Sequence, residues 1–310
     1  MSYAIVTDTS ANLPTPMLKE LDITVLPFSY LYDGQEHTCM DTEAFDGKAY
    51  YNMMRDGVKV TTSQITPFRY TEHFRPLLEA GQDILFVGMS SGISGSYAMA
   101  EVAAEGLREE FPLRKLRLVD SLGASLGEGI IALKAAEYRE KGFSIDENAD
   151  LLLAMRHRMA QIFTVDDLMH LRSTGRLSNA AAFVGTVLQI KPLLKGNEEG
   201  KIVTCGVARG FKKAVAAMAK KYNELVVNAD EQIVGIAHAD CREANSKRGT
   251  KTAPRLFSLS FRFKQLRGFK VRFADNGPSW RSAPLPPFAG EAPRGGSHSS
   301  HMFCRNLLNS

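Results

Sequence analysis

The chain is short of the features that would fix a function at once. It has 4 cysteines in 310 residues, at Cys39, Cys205, Cys241 and Cys304, and none lies close to another. That spacing excludes zinc knuckles, a C-x-x-C redox centre and a dense disulfide framework. No apolar run approaches the ~18 residues that a membrane-spanning helix needs. Ser2-Tyr3-Ala4-Ile5-Val6 carries no basic stretch and no long apolar core, so no secretory leader is expected. Scattered thiols suit a reducing compartment, and a cytoplasmic location is expected. Neither G-x-G-x-x-G nor a Walker A segment occurs, and Gly127-Glu128-Gly129 fits neither pattern, which argues against both of those nucleotide-binding devices. H-x-x-x-H spacing and carboxylate clusters at metal spacing are also missing. His37, His73, His157, His170 and His238 are scattered, with no nucleophile-elbow sequence beside any serine. No metal and no cofactor are therefore expected, and none of these motifs marks a catalytic nucleophile.

What is present is ordinary globular material. Hydrophobic residues make up 44% and charged residues 23%, values that exclude collagen-like and disordered classes. The length suits two domains. The net charge of +4 hides an asymmetry. Residues 246–310 hold 12 Lys+Arg against 2 Asp+Glu, which leaves 26 basic and 32 acidic residues in the first 245. The same tail holds 6 of the 13 prolines and the one tryptophan, Trp280. Periodicity fades after Phe273, and Pro284, Pro286, Pro287 and Pro293 break any long element. The tail reads either as a basic arm or as a stretch foreign to the fold, and the composition break favours the second. It predicts a reading-frame shift near Asn245, which sequencing of the encoding DNA would dismiss by finding an intact frame.

The body alternates short apolar strands with helices, the pattern of an α/β fold with a parallel sheet. Strands are expected at Ala4–Thr7, Ile23–Phe28, Asp83–Met89 and Lys115–Val119, with helices from Phe45, near Pro67, from Tyr97 and from Gly127. Asp33-Gly34 marks a turn. A second α/β unit, with a mixed or antiparallel sheet, is expected from 146 to 245, after a first domain over 1–145. It contains strands at Ile162–Val165, Lys201–Val207 and Gln232–His238, the first two separated by a helix from Ala180 to Ile190 that Pro192 closes. A basic helix runs from Arg209 to Val226.

Four polar loops follow expected strands or lie near them: Asp8–Ser10, Thr61–Gln64, Ser90–Ser96 and Asp120-Ser121. In an open α/β sheet such loops gather at the carboxyl edge and form the ligand crevice. Residues 90–96 contain four serines and two glycines ahead of a helix start, a composition that binds anions well. Simple helix capping is the favoured explanation of any one loop alone; their recurrence brings a binding site level with it. Hydroxyls without a neighbouring base suit holding a carboxylate or phosphate better than cleaving a bond. Arg172 and Arg176 flank a Gly turn, where either could pair with an anion or with Asp166 or Asp167.

Thr7-Asp8-Thr9-Ser10-Ala11-Asn12-Leu13, Thr62-Ser63-Gln64, Ser90 to Tyr97, Asp120-Ser121 and Leu171 to Leu177, in this order, resemble the motifs of the DegV family. Ile190 to Leu194, Gly200-Lys201-Ile202 and Arg209 to Ala214 are similar to its second half, so the resemblance spans about residues 1–242. It implies a fatty-acid-binding protein of two α/β domains, with the ligand in a tunnel between them. It implies a role as the lipid-presenting subunit of bacterial fatty acid kinase in phospholipid metabolism. A separate kinase subunit would phosphorylate the carboxylate, transient membrane contact fits that role, and nucleic acid is not a partner. The residues it assigns to the carboxylate are Thr62 or Ser63, with Ser94, and Arg176 as a supporting charge. Ile65 stands where the family usually has proline. Asn276-Gly277-Pro278 is followed by Ser279-Trp280-Arg281-Ser282, without the His that the family carries there. Val25 to Leu31 and Phe183 to Ile190 are apolar stretches that suit a tunnel. A small-molecule enzyme using the serine-rich loop as an anion site is the competing reading, and a nucleic-acid binder acting through the tail a third.

Overall fold

The computed structural model describes residues 3–165, 171, 175–176, 190–227 and 232–239, with the backbone of 256–262. The expected helix over 180–189 lies outside the described residues.

A parallel sheet is built from β1 (Ala4–Asp8), β2 (Ile23–Leu26), β6 (Ile84–Gly88) and β7 (Leu116–Asp120), in the order β2-β1-β6-β7. β1 and β6 are buried at every position, which is why each reads as an unbroken apolar run rather than an alternation. A small antiparallel sheet stands apart from it: β3 (Ser29–Tyr32) between β4 (Gln35–Thr38) and β5 (Thr61–Ser63). Asp33 and Gly34 take φ of 50° and 73°, the two left-handed residues that a two-residue hairpin turn requires. The sequence reading leaves 61–64 as a loop. Three residues are too few to show a period, and their strand conformation depends on pairing with β3.

Helices cover both faces of the parallel sheet. α1 (Thr15–Glu20) and α2 (Gly47–Arg55) flank the small sheet's connections, and α3 (Pro67–Glu79) opens with Thr66 capping the Arg69 N–H. α3 packs with α4 (Ser96–Glu110) over a core of Phe74, Phe86, Ala100 and Ala104. On the opposite face lie α5 (Leu126–Glu140) and α6 (Ile145–Arg156). Ser144 and Glu147 form a reciprocal capping box at the start of α6. Ile145, Ala149, Leu152 and Met155 place this helix in the same core as Ile5, Leu85 and Val119.

A second sheet follows, in the order β10-β9-β8-β12-β11. Its strands are β8 (Met159–Val165), β9 (Ile190–Gly196), β10 (Ile202–Arg209), β11 (Val234–His238) and β12 (Leu256–Arg262). All its pairings are antiparallel. α7 (Phe211–Leu225) covers one face through Ala214 and Met218. Pro192, expected to close a helix, sits inside β9. β8 meets β9 only at Lys195 and Leu194, so the missing N–H of Pro192 deprives no β8 partner. β12 comes from the basic tail and lies between β8 and β11, with Ser258 opposite Phe163 and Ala237.

α5 joins the two sheets. Its residues Ile131 and Ala135 are in the first core, and Leu126 and Ile130 lie where a side chain on Gly235 of β11 would sit. Buried Asn148 locks α6 to this frame by donating to Tyr3 Oη at 2.6 Å and to the Ala135 carbonyl at 2.8 Å. Asn148→Ala removes both bonds from a buried site, and a loss of about 1–3 kcal/mol is expected. It will be read as a lower urea midpoint at unchanged slope; an unmoved midpoint would deny the network that role.

Candidate functional site

The carboxyl ends of β1, β6 and β7 converge on one edge, and the polar segments that follow them interlock. β1 ends at Asp8, whose carboxylate accepts the Ser10 N–H at 2.8 Å and caps the short turn Thr9–Ala11. Asn12 leaves this turn in the left-handed region at φ 52°. Thr9 Oγ1 accepts the Phe28 N–H at 2.9 Å, tying this loop to the end of β2.

The serine-rich loop is held from three sides. Asp120 accepts Ser91 Oγ at 2.6 Å and the Ser91 N–H at 3.2 Å. Asp8 accepts the Met89 N–H at 3.4 Å. Ser90 Oγ donates to the Gly200 carbonyl at 3.0 Å, reaching the β9–β10 hairpin of the second sheet. Inside the loop, Ser94 Oγ donates to Ser96 Oγ at 3.0 Å and accepts the Ser96 N–H at 3.2 Å. Ser96 Oγ accepts the Ile65 N–H at 3.1 Å. This bond brings the Thr61–Ile65 segment against the serine loop, and the Gln64 side chain lies over Gly95.

Beside this edge is a cavity of about 270 Å³. Thr7, Asp8, Thr9 and Thr62 give it a polar end; Leu13, Val25, Phe28 and Phe45 give it apolar walls. Tyr30 and Tyr50, in edge contact at 5.4 Å, form the side supplied by the small sheet and α2. Two anchors fix that side. Thr15 and Thr42 exchange backbone N–H and hydroxyl bonds at 2.9 Å each way. Arg69 on α3 reaches Glu36 at 2.7 Å and also donates to Ser29. Met40 lines the cavity and is still 46% exposed, so that wall reaches the surface. A second cavity of about 380 Å³ shares Leu18, Val25 and Met40 with the first.

Of the residues singled out in the sequence, Thr62 lines the cavity and faces Tyr30 in the β3–β5 register, with Ser63 opposite Ser29. Ser94 sits on the neighbouring loop, half-buried. Arg176 is exposed, with its backbone N–H on the Leu171 carbonyl at 3.2 Å, and is not among the residues lining the cavity. The described cavity wall comes from residues 7–62, within the first unit. Of the two stretches expected to line a tunnel, Val25, Phe28, Ser29 and Tyr30 of the first do so, and 183–189 lie outside the described residues.

Sequence reasoning missed one group. Glu128, in the first turn of α5, is fully buried and accepts the Ser10 hydroxyl. It also contacts Thr7 Oγ1 at 3.1 Å. Burial and the neighbouring Asp8 charge push its carboxyl well above the usual range, and burial raises Asp8 as well. The available signal was a lone acid in the otherwise small and apolar run Leu126 to Ala132. Among the described residues no group of three or more His, Cys, Asp or Glu could hold a metal ion. None of the described helices is long and apolar enough to cross a membrane.

Two α/β units whose parallel-sheet edge carries an apolar cavity with threonine hydroxyls in its lining define a binding fold. The family model described as "Uncharacterised protein, DegV family" matches residues 2–256, and the chain belongs to the DegV family. A DegV domain-containing protein of Clostridium perfringens is 36% identical over 241 residues, covering 78% of this chain and 83% of that protein. The structure titled as fatty acid binding of a DegV family protein from Thermus thermophilus superposes with a TM-score of 0.73 at 27% identity, covering 84% of this chain and 99% of that one. DegV of Bacillus subtilis, described as a fatty acid binding protein, gives a TM-score of 0.71 at 26% identity over 85% of this chain and all of its own length.

The serine loop meets the second unit backbone to backbone at Gly92. A Cβ there would lie 2.5 Å from the Glu199 carbonyl oxygen and 2.7 Å from the Gly200 carbonyl carbon. Backbone cannot swing aside as a side-chain tip can, so Gly92→Ala is expected to destabilise by about 1–3 kcal/mol. Gly106→Ala, with open space around the position inside α4, is the matched control and should gain up to ~1 kcal/mol. Equal urea midpoints for the two variants would refute the close contact.

Proposed function

We propose that this protein binds a long-chain fatty acid with its acyl chain in the cavity beside β1 and β2 and its carboxylate at the hydroxyls of the sheet edge. Thr62, Ser63 and Ser94 are the residues assigned to the carboxylate, with Arg176 as a supporting charge. The protein then presents that carboxylate to a separate kinase subunit for acyl-phosphate formation and performs no chemistry itself. The single observation that carries the reading is the cavity, with apolar and aromatic walls ending in Thr7, Thr9 and Thr62. The fatty-acid-binding relatives support it.

The energetics suit this division of labour. Burying about fourteen methylenes at ~0.8 kcal/mol each contributes roughly 11 kcal/mol before ordering costs. Neutral hydrogen bonds to the head group add only ~1 kcal/mol apiece. Hydrocarbon sets the affinity and the hydroxyls set the orientation. A head group held by short alcohols at a protein surface remains within reach of a phosphoryl donor. No His directly follows Asn276-Gly277-Pro278, so in this reading the hydroxyls grip without one, and the stretch after Asn245 is a departure from the family.

Protein purified from bacteria is expected to release fatty acid on denaturation, identified by mass spectrometry. Thr62→Ala combined with Ser94→Ala removes about 2 kcal/mol of head-group bonding, a loss near 30-fold in affinity. Undiminished retention in the double variant would refute the head-group assignment. Acyl phosphate should form only when a fatty acid kinase catalytic subunit and ATP are added; turnover by this chain alone would favour the enzyme reading.

A further inference from the structure

Two carboxyl groups lie buried where the first strand ends, and the proposed grip on the ligand uses neither. Asp8 is 1% exposed and Glu128 0% exposed. The groups that face the pair come from every element packed there: Thr7 from β1, Ser10 from the turn after it, the Met89 N–H after β6, and Tyr70 from α3. None of these is a cation. The Tyr70 hydroxyl is buried without a hydrogen-bond partner among the described residues, and burial holds it in its neutral form.

Hydrogen counting places a proton. Thr7 has one hydroxyl hydrogen and two neighbours for it, the Val87 carbonyl at 2.9 Å and Glu128 Oε1 at 3.1 Å. Thr7 can fill only one of these contacts at a time, so both are bonded together only when Glu128 brings a hydrogen of its own. Glu128 also lies in hydrogen-bonding contact with Asp8, and two ionised carboxylates have no hydrogen to place between them. Asp8 keeps its charge more easily, because it accepts the Ser10 and Met89 N–H groups. We propose that Glu128 carries a proton that it shares with Thr7 and Asp8, that it thereby positions the loops at the cavity's polar end, and that losing this proton at alkaline pH weakens the hold on a fatty acid.

The first part is independent of the ligand; the last part rests on the fatty-acid reading. Ionised Glu128 would repel Asp8 in a buried setting where none of the facing groups is a cation. Asp8 holds the Met89 N–H, one residue before the serine loop, and lines the cavity with Thr7 and Thr9. Repulsion at the pair therefore reaches both the serine loop and the cavity's polar end. The sign follows from proton counts. Unfolded Glu128 ionises in the ordinary carboxylate range, whereas folded Glu128 keeps its proton above it. The folded chain binds more protons in that window, so stability falls as pH rises through it.

The test uses the full chain with cis-parinaric acid, a fluorescent fatty acid, titrated from about pH 6 to about pH 10. Wild type should lose about tenfold in affinity across the range, the equivalent of one charge-assisted hydrogen bond. Glu128→Ala should bind weakly at every pH. Glu128→Gln, whose amide donates without titrating, should restore what the alanine loses and flatten the pH profile. An infrared difference spectrum of wild type against Glu128→Gln at about pH 8 should show the carbonyl band of a protonated carboxylic acid. An alkaline fall in Glu128→Gln equal to that of wild type, or absence of that band, would overturn the proposal. If wild type binds no cis-parinaric acid at any pH, the cavity reading fails with the binding half of the proposal. The infrared band then decides the proton on its own.

Discussion

At the carboxyl edge of the first sheet, three strand ends have to be closed by buried polar groups. Asp8, Ser90, Asp120, Ser121 and Glu128 are all buried there. Buried polar groups without partners cost more than most contacts return. Short alcohols meet the demand because a hydroxyl can donate and accept at once and needs little room. Ser90 receives the Gly92 N–H and donates to the Gly200 carbonyl; Ser96 accepts from Ile65 while taking the hydrogen of Ser94. Each strand exit is thus tied to the next, and the cavity wall at Thr7, Thr9 and Thr62 belongs to the same fabric. On the proposed reading, these are the hydroxyls that orient the ligand's head group.

That fabric extends into the second unit through contacts that leave no space for a side chain. Gly92 lies against the backbone of Glu199 to Lys201, and Gly127 lies under the Gln161 amide. Gln161 also exchanges hydrogen bonds with both backbone groups of Ala124, at 3.2 Å and 2.6 Å. Ile93 packs on Phe163 and Leu194 of the second sheet. Glycine at such points is a packing requirement, separate from the turn at Gly200, where φ of 71° demands it on conformational grounds. A shift in the second unit is therefore felt at the serine loop, which is the edge where the proposed function places the carboxylate.

Much of this was legible in the sequence, for identifiable reasons. β6 reads as a strand because residues 84–88 are all buried and the run is short and bounded by glycine. The four loops could be gathered on one edge because a parallel sheet puts its strand exits together. Other features needed tertiary contacts. Thr61–Ser63 is a strand only because β3 pairs with it, and Pro192 is tolerated in β9 only because β8 stops short of it. The cavity's aromatic side was hidden because Tyr30 and Tyr50 come from separate elements, β3 and α2, that meet only in the folded chain. Glu128 was hidden by its neighbours, since a charge between two glycines in a helix start reads as surface until its burial is seen.

The chemistry of the edge and of the buried pair answers one constraint. An anion seated at the mouth cannot also tolerate two unneutralised carboxylates a few residues behind it, and no described cation faces the pair. A site of this kind has two ways to remain habitable: import a positive charge, or keep a proton. A lysine or arginine imported at the pair would add a second positive charge to the one that Arg176 supplies on the proposed reading. A retained proton cancels one negative charge without adding another positive one, and on the proposed reading it leaves the grip to hydroxyls worth ~1 kcal/mol each, with Arg176 in support. On the proposed reading, the ligand is then held mainly by hydrocarbon and only steered by its head, which is the condition under which the head can react while the tail stays bound.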